Sequence, residues 1–574
     1  MPSLSPVSGA LGVGRAQHLL KRLTFGFNPQ QINALAGMNV GTALNQLFDF
    51  TLPAPPNYAG DVWVQRPPLS KEPEALMNSG AENLLKRWWL GKMLLDTTAL
   101  EKTTFFLHTI ITMQLDKSQG SRGAYYQHHL FQQFLVNDFK GSNPAYNYKL
   151  FIRKIAIDNA MLVFLDGNQN IAGRPNENFA REFLELFTIG KGQTVGEGNY
   201  TNYTEEDIKQ IAKVFTGWTT SGFDKAETYQ MVDIETGLPL ASGKVNVDKN
   251  GNAANHDNKP KQLTAVLSSA AYPNPVITPS VDPPTQVSMI DELDQLVSII
   301  YAKEAAARYL MRRLHRFYVH WNITDEIEDQ IIGPLAQTFI NSGFRLRPVF
   351  DQLFGSQYFF ESAPGVSDDK FGAMIKSPMD LFFGTLRYFN IQLDALNTSG
   401  FNTQMAIIEQ ALMSTGIEFW QPYDVAGYDP YHQAPGYNRN WISVTSLAYR
   451  YEFIDNLLKD NNRWGFYLDV MAWANDPASG LTAVATLPTT INGKQYAIDL
   501  VKTVVSKLLP LSAPDTEITQ ERLNYFAQYH LDVYSFSDWV NYWNNRTGFG
   551  KPYVEEMLKR LLNAIMQSPE YQLF

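Results

Sequence analysis

Residues 174–192, RPNENFAREFLELFTIGKG, concentrate side chains that can do chemistry. Glu177, Glu182 and Glu185 offer carboxylates that can ligate a cation or move a proton. Arg181 offers a fixed cation, and Asn176 and Asn178 flank Glu177 with amides that can orient it or touch a substrate. At about 100° per residue, Phe179, Ala180, Phe183, Leu184, Leu186 and Phe187 fill one arc of a helix. Glu177, Asn178, Arg181, Glu182 and Glu185 fill the other. The spacing therefore predicts an amphipathic helix over 176–189, begun by Pro175 and ended at Gly190.

Two readings of the polar arc stand open. Glu177, Arg181 and Glu185 are at i, i+4 and i+8, the spacing of an exposed ion-pair ladder worth a few tenths of a kcal/mol per pair. The asparagines are poor helix formers and good local hydrogen-bonders. They favour a polar network in which Glu177 and Arg181 are mostly buried and multiply bonded.

Other candidates lie far away in sequence. His108 sits in ALEKTTFFLHTIITMQLD, a run apolar almost all round and so expected inside the protein, where it is either a satisfied core histidine or a site residue. NHDNK places His256 beside Asp257, a pair able to ligate a metal or act as acid and base, or simply to shape a loop. Arg308, Arg312 and Arg316 recur every four residues. Arg312 and Arg316 can grip a carboxylate, phosphate or sulfate, or can pair with carboxylates across a helix interface. QPYDVAGYDPYHQAPGYNRNWIS, ending near Trp441, reads as an aromatic binding wall or as a rigid loop packed on the body. His128 and His129 are adjacent and diverge on a helix, and His315 and His320 are five apart; neither pair suggests a metal site.

The elements that must position these residues are mainly α. Helical periodicity covers most of the chain, including 123–139, 148–165, 204–216, 289–319 and four segments after 498. Residues 219–290 are rich in Gly, Asn, Pro and Thr and read as an irregular insertion with a small β-sheet, ETYQMVDI being strand-like. The expected organisation is a multi-helix core over 1–460, including the insertion, with a C-terminal helical extension, 461–574, packed on it. DQLFGSQYFF, NAIMQSPEYQ and KIAIDNAML share the shape of a helix-exit turn.

Composition excludes several classes. The 574 residues carry a net charge of −10 with no basic footprint, which argues against nucleic-acid binding. Zero cysteines exclude disulfides, thiolate catalysis and Cys-ligated zinc. No apolar run is long enough to span a membrane. The N-terminus lacks a charged start followed by an apolar core, so the chain reads as cytoplasmic, although removal of an export signal would leave the same start. No HExxH helix, P-loop, GxSxG elbow or paired Glu-x-x-His arrangement occurs.

HLLKRLTFGFNPQQI, RPNENFAREFLELFTIG, YTEEDIKQIAKVFTGWT, NHDNKPK, RYLMRRLHRFYV and KSPMDLFFGTLR, in that order, resemble signatures of the domain-of-unknown-function 1800 family. The resemblance implies a largely helical bacterial protein with no settled activity. It also implies a protein partner from a neighbouring sulfatase-like family and, in many members, export. The family typically shows Phe-Trp-His-Asn-His where this chain reads FFLHTI. His108 is kept but Ile110 replaces the second histidine, so a site needing both is lost or altered.

Two functions follow as expectations. The first is a hydrolase or group-transfer enzyme, metal-dependent or acid–base, with His108, Glu177, Arg181, Glu182, Glu185, His256 and Asp257 as its centre. If a divalent metal is present, the carboxylates and histidines of that set are its ligand pool, and their O and N donors admit magnesium, calcium, manganese, iron or zinc. Asn176, Asn178, Arg312, Arg316 and Trp441 would then contact substrate. The alternative is a non-catalytic assembly protein that binds a glycan, an anionic molecule or a protein partner.

Overall fold

Helix follows helix because the apolar period is helical along most of the chain, and the computed structural model has that architecture: mainly α, with only short two-stranded antiparallel ladders. It describes residues 3–574 except 78, 142, 231–234, 236–241, 361–373, 463 and 512–517. The helices used below are α1 (Gly12–Leu23), α2 (Gly80–Leu95), α3 (Leu100–His108), α4 (Gly120–Lys140), α5 (Glu177–Glu182), α6 (Gln286–Tyr301), α7 (Glu304–Tyr318), α8 (Pro378–Tyr388) and α9 (Ile498–Leu508).

One continuous apolar cluster runs from Val7 to Tyr571. At its centre α3 is buried along its whole length, as a helix without a polar face must be. Its polar side chains each need a partner there. Glu101 accepts from Trp89 Nε1 of α2 and from Gln132 Nε2 of α4, both at 2.9 Å. Lys102 donates to Asp380 of α8 at 2.7 Å and to the Lys21 and Thr24 carbonyls at the end of α1. α3 thus ties four helices together through hydrogen bonds as well as packing. Gly26, just after α1, is needed for this approach: a Cβ there would lie 2.6 Å from the Phe383 carbonyl oxygen of α8.

Three stretches that periodicity alone would run together are divided in the structure. The 148–165 stretch breaks after Ala156, because Asp158 caps a new helix, Asn159–Phe164, by accepting from the Met161 N–H at 2.9 Å. The 289–319 stretch is two helices, α6 and α7. The 176–189 stretch changes pitch after Glu182, where Phe183–Thr188 is a π-helix. In the insertion, Trp218–Thr219 pairs with Lys244–Val245, and Lys261–Gln262 pairs with Val276–Ile277. ETYQMVDI is not strand where it is described: Ala226–Gln230 is a helical turn, and residues 231–234 lie outside the described residues.

Candidate metal centre

Asn176 is the N-cap of α5, accepting from the Phe179 N–H at 3.1 Å while its amide donates to the Leu165 and Asp166 carbonyls. The π segment that follows is held by the Thr188 hydroxyl, which donates to the Phe183 carbonyl at 2.8 Å. Glu185 is taken by Lys191 and by the Tyr203 hydroxyl. Glu182 is half-buried, and burial pushes its carboxyl up to about 7, with Glu185 and, more weakly, Asp424 adding like charge. π segments of this kind recur at functional sites.

Asp424 belongs to a loop fastened to the chain just beyond α3. The Thr112 hydroxyl donates to the Val425 carbonyl at 2.7 Å, the Gln114 amide to the Pro422 carbonyl at 2.8 Å, and the Leu115 N–H to the Trp420 carbonyl at 3.0 Å. The turn closes between Asp424 and Gly427. Gly427 has φ +102°, and a Cβ there would stand 2.9 Å from Thr112 Cγ2, so only glycine fits.

This turn gathers Asp424, Asp429 and His432, whose ligand atoms lie within 4.8 Å of one another. The two aspartates are exposed and the histidine is half-buried. The His432 ring hydrogen-bonds to the Gly427 backbone, and its Nε2 has no hydrogen-bond partner among the described residues. Nε2 lies 3.8 Å from Asp429 Oδ1, beyond hydrogen-bonding range. A ring tied at one nitrogen to a carbonyl and open at the other is the arrangement metal-ligating histidines adopt. Burial, then the Arg313 guanidinium, lowers the His432 pKa and favours the neutral ring a cation requires. Arg313, on α7, is held by the Thr109 carbonyl at 2.6 Å.

The family described as protein of unknown function (DUF1800) matches residues 18–573. The chain belongs to the DUF1800 family. No curated protein and no solved structure matches it.

The other DUF1800-like motifs of this chain have roles that can be read from their contacts. In NHDNKPK, His256 Nδ1 meets the Thr216 carbonyl at 2.9 Å and Nε2 meets Glu292 Oε1 of α6 at 3.0 Å. Lys261 holds the other Glu292 oxygen and donates to the Asp257 carbonyl at 2.6 Å. The side chains of His256, Lys261 and Glu292 are wholly shut off from solvent. This motif is a latch between the insertion and α6. Asp257 is half-buried beside it, its N–H bonded to the Thr216 hydroxyl.

His108 is buried against Trp89, Trp420 and Tyr428, and burial drives its pKa down to about 3. It ends α3 as a buried ring whose Nε2 has no hydrogen-bond partner among the described residues. Among the described residues, the group of His, Asp and Glu side chains close enough to hold one ion is Asp424, Asp429 and His432, and it includes none of His108, Glu177, Glu185, His256 and Asp257.

The expectation that Glu177 and Arg181 are mostly buried is corrected for Glu177. Glu177 and Asn178 are exposed, because α5 turns that edge to solvent. Arg181 makes a bidentate pair with Glu205 at 2.7 and 2.8 Å on a half-exposed surface. Arg312 is bound to Glu328, and Arg316 lies over the Tyr437 ring. Trp441 is buried with its ring edge-on to Tyr431, so the aromatic loop packs on the body at that point.

Of the residues expected from the sequence, Glu182 is the one whose carboxyl feels the charge of a member of the trio, Asp424. Asp424, Asp429, His432 and Arg313 were missed. The signal available was DVAGYDPYH, two aspartates and a histidine within nine residues, in a segment whose rings drew attention instead.

Proposed function

We propose that the chain is a divalent-cation-dependent hydrolase, with Asp424, Asp429 and His432 as ligands and Glu182 as the proton-transfer group. The supporting observation is the trio itself: two carboxylate oxygens and one tethered, partnerless imidazole nitrogen within 4.8 Å. This donor set suits magnesium, manganese, iron or zinc. A cation held there supplies Lewis-acid activation of water and of a carbonyl or phosphoryl oxygen. Glu182, with its proton affinity raised to the neutral range, is suited to take a proton from water and return it to a leaving group. Arg313 sits close enough to influence His432 and would add positive charge against an anionic substrate.

The test is a titration of manganese or zinc into chelator-stripped protein, with Asp429→Asn and His432→Ala alongside. Wild type is expected to bind one cation, with affinity falling at least tenfold in each variant. Absence of binding, or equal binding by the three proteins, removes the metal centre and the hydrolase reading with it. A second reading, a binding protein for a glycan or protein partner, draws support from the same loop, where Tyr423 is 92% exposed. Metal-free protein would leave that reading in place.

A further inference from the structure

Lys21 lies in the last turn of α1, Lys376 two residues before α8, and Lys507 in the last turn of α9. They border a cavity of about 40 Å³ with Asp380, Tyr388 and Tyr571. HLLKRLTFGF and KSPMDLFFGTLR, two of the family-like motifs, therefore meet at one void that the metal centre does not use.

The charges around this void do not balance. Asp380 is fully engaged, with one oxygen accepting from Lys102 at 2.7 Å and the other from the Ser377 hydroxyl at 2.6 Å. Lys507 is directed to the Ala478 and Ser479 carbonyls. Lys376 donates to the Tyr571 carbonyl at 2.7 Å, and Lys21 reaches the Leu509 carbonyl only at 3.4 Å. An ammonium has three N–H donors, so both lysines keep unused ones. Neither has an ion-pair partner among the described residues. Burial, then the Lys376 and Arg22 charges, holds Lys21 well below its ordinary pKa. Burial lowers Lys376 to about 7, with Asp380 opposing and Arg450 assisting. Cations in such surroundings are normally paired.

We propose that this cavity binds one small free oxyanion of the phosphate or sulfate type between Lys21 and Lys376. A water needs about 10–15 Å³ of such space, so the cavity holds roughly three waters, about the bulk of one tetrahedral oxyanion. Tyr388, which lines the cavity, has a buried hydroxyl without a hydrogen-bond partner among the described residues. Binding draws protons onto the lysines, because a bound anion supplies the opposite charge that offsets the cost of burying an ammonium. The site consists of residues from α1, α8 and the C-terminal region, so it stands or falls independently of the metal centre.

The experiment is a thermal melt at pH 7 in sodium phosphate or sodium sulfate against sodium chloride at matched ionic strength, on wild type, Lys21→Met and Lys376→Met. Wild type is expected to show a saturable rise of a few degrees at millimolar anion, by mass action on the native state. The Met variants are expected to lose the rise yet melt no lower than wild type in chloride, since each replaces an amine that has no ion-pair partner with an apolar chain. No rise in wild type, or the same rise in all three, overturns the proposal. If the variants do not fold, amine-reactive labelling of wild type decides. Phosphate is expected to slow labelling of Lys21 and Lys376 several-fold relative to Lys494, an exposed strand lysine. Unchanged relative labelling overturns the proposal.

Discussion

His256 and His432 both stand beside carboxylates, and they are built in opposite ways. His256 has both ring nitrogens matched, its Glu292 partner has both oxygens matched, and Lys261 balances the charge, all out of contact with solvent. His432 has one ring nitrogen tied and the other open toward aspartates at the surface. A closed network leaves no donor or acceptor for a ligand, and in a low-dielectric interior it fixes geometry. An open nitrogen beside excess negative charge leaves the attraction for a cation unspent. The contrast separates a histidine that holds the fold from one equipped to do chemistry, although NHDNK is the more conspicuous motif.

The largest expected effect breaks the closed network. Glu292→Ala leaves Lys261 and His256 buried without their carboxylate and should lower stability by about 3–5 kcal/mol, read from urea unfolding. Asp429→Ala, at the open site, should stay within about 0.5 kcal/mol of wild type in metal-free buffer. Comparable losses in both variants would erase the distinction between latch and site.

A smaller effect concerns pH. Glu182 holds its proton more tightly folded, at about 7, than its ordinary value of 4.5. Between those values the folded state binds more protons than the unfolded state, so this group's contribution is fully present below pH 4.5 and is lost as pH rises through 7. Glu182→Gln should flatten the stability profile across that window, measured by melts from pH 4.5 to 7.5. An unaltered profile would show that Glu182 titrates normally and is unsuited to the proposed role.

The smallest effect tests the polar edge of α5. Glu177 is exposed, and Arg181 pairs with Glu205. Glu177→Ala should change stability by no more than about 0.5 kcal/mol. A loss of several kcal/mol would mean that this edge is held in a network like that of His256.

Much of the fold was legible because its causes are local. The apolar period gave the short helices before residue 50 and the helices after 498. The all-round apolar character of ALEKTTFFLH foretold its burial. The shared exit-turn shape also holds, for Asp158, Ser356 and Ser568 each stand between a helix and a following short helix. The π segment was not legible, because Phe183–Thr188 keeps an α-like apolar pattern while its hydrogen bonds span five residues. The exposure of Glu177 was one of two readings the sequence left open, since a helix wheel gives angles around an axis and says nothing of what stands opposite each one.

Composition, apolar periodicity and motif order were enough to determine an α-helical DUF1800 chain, because each acts over a few residues or needs no geometry at all. Which carboxylates and histidines meet was decided by tertiary structure. The Thr112–Val425 bond that helps seat the candidate metal loop joins residues 313 positions apart. The Lys102–Asp380 pair beside the cationic cavity spans 278. Such pairings depend on how whole helices stack, and side-chain spacing along the chain carries no record of that.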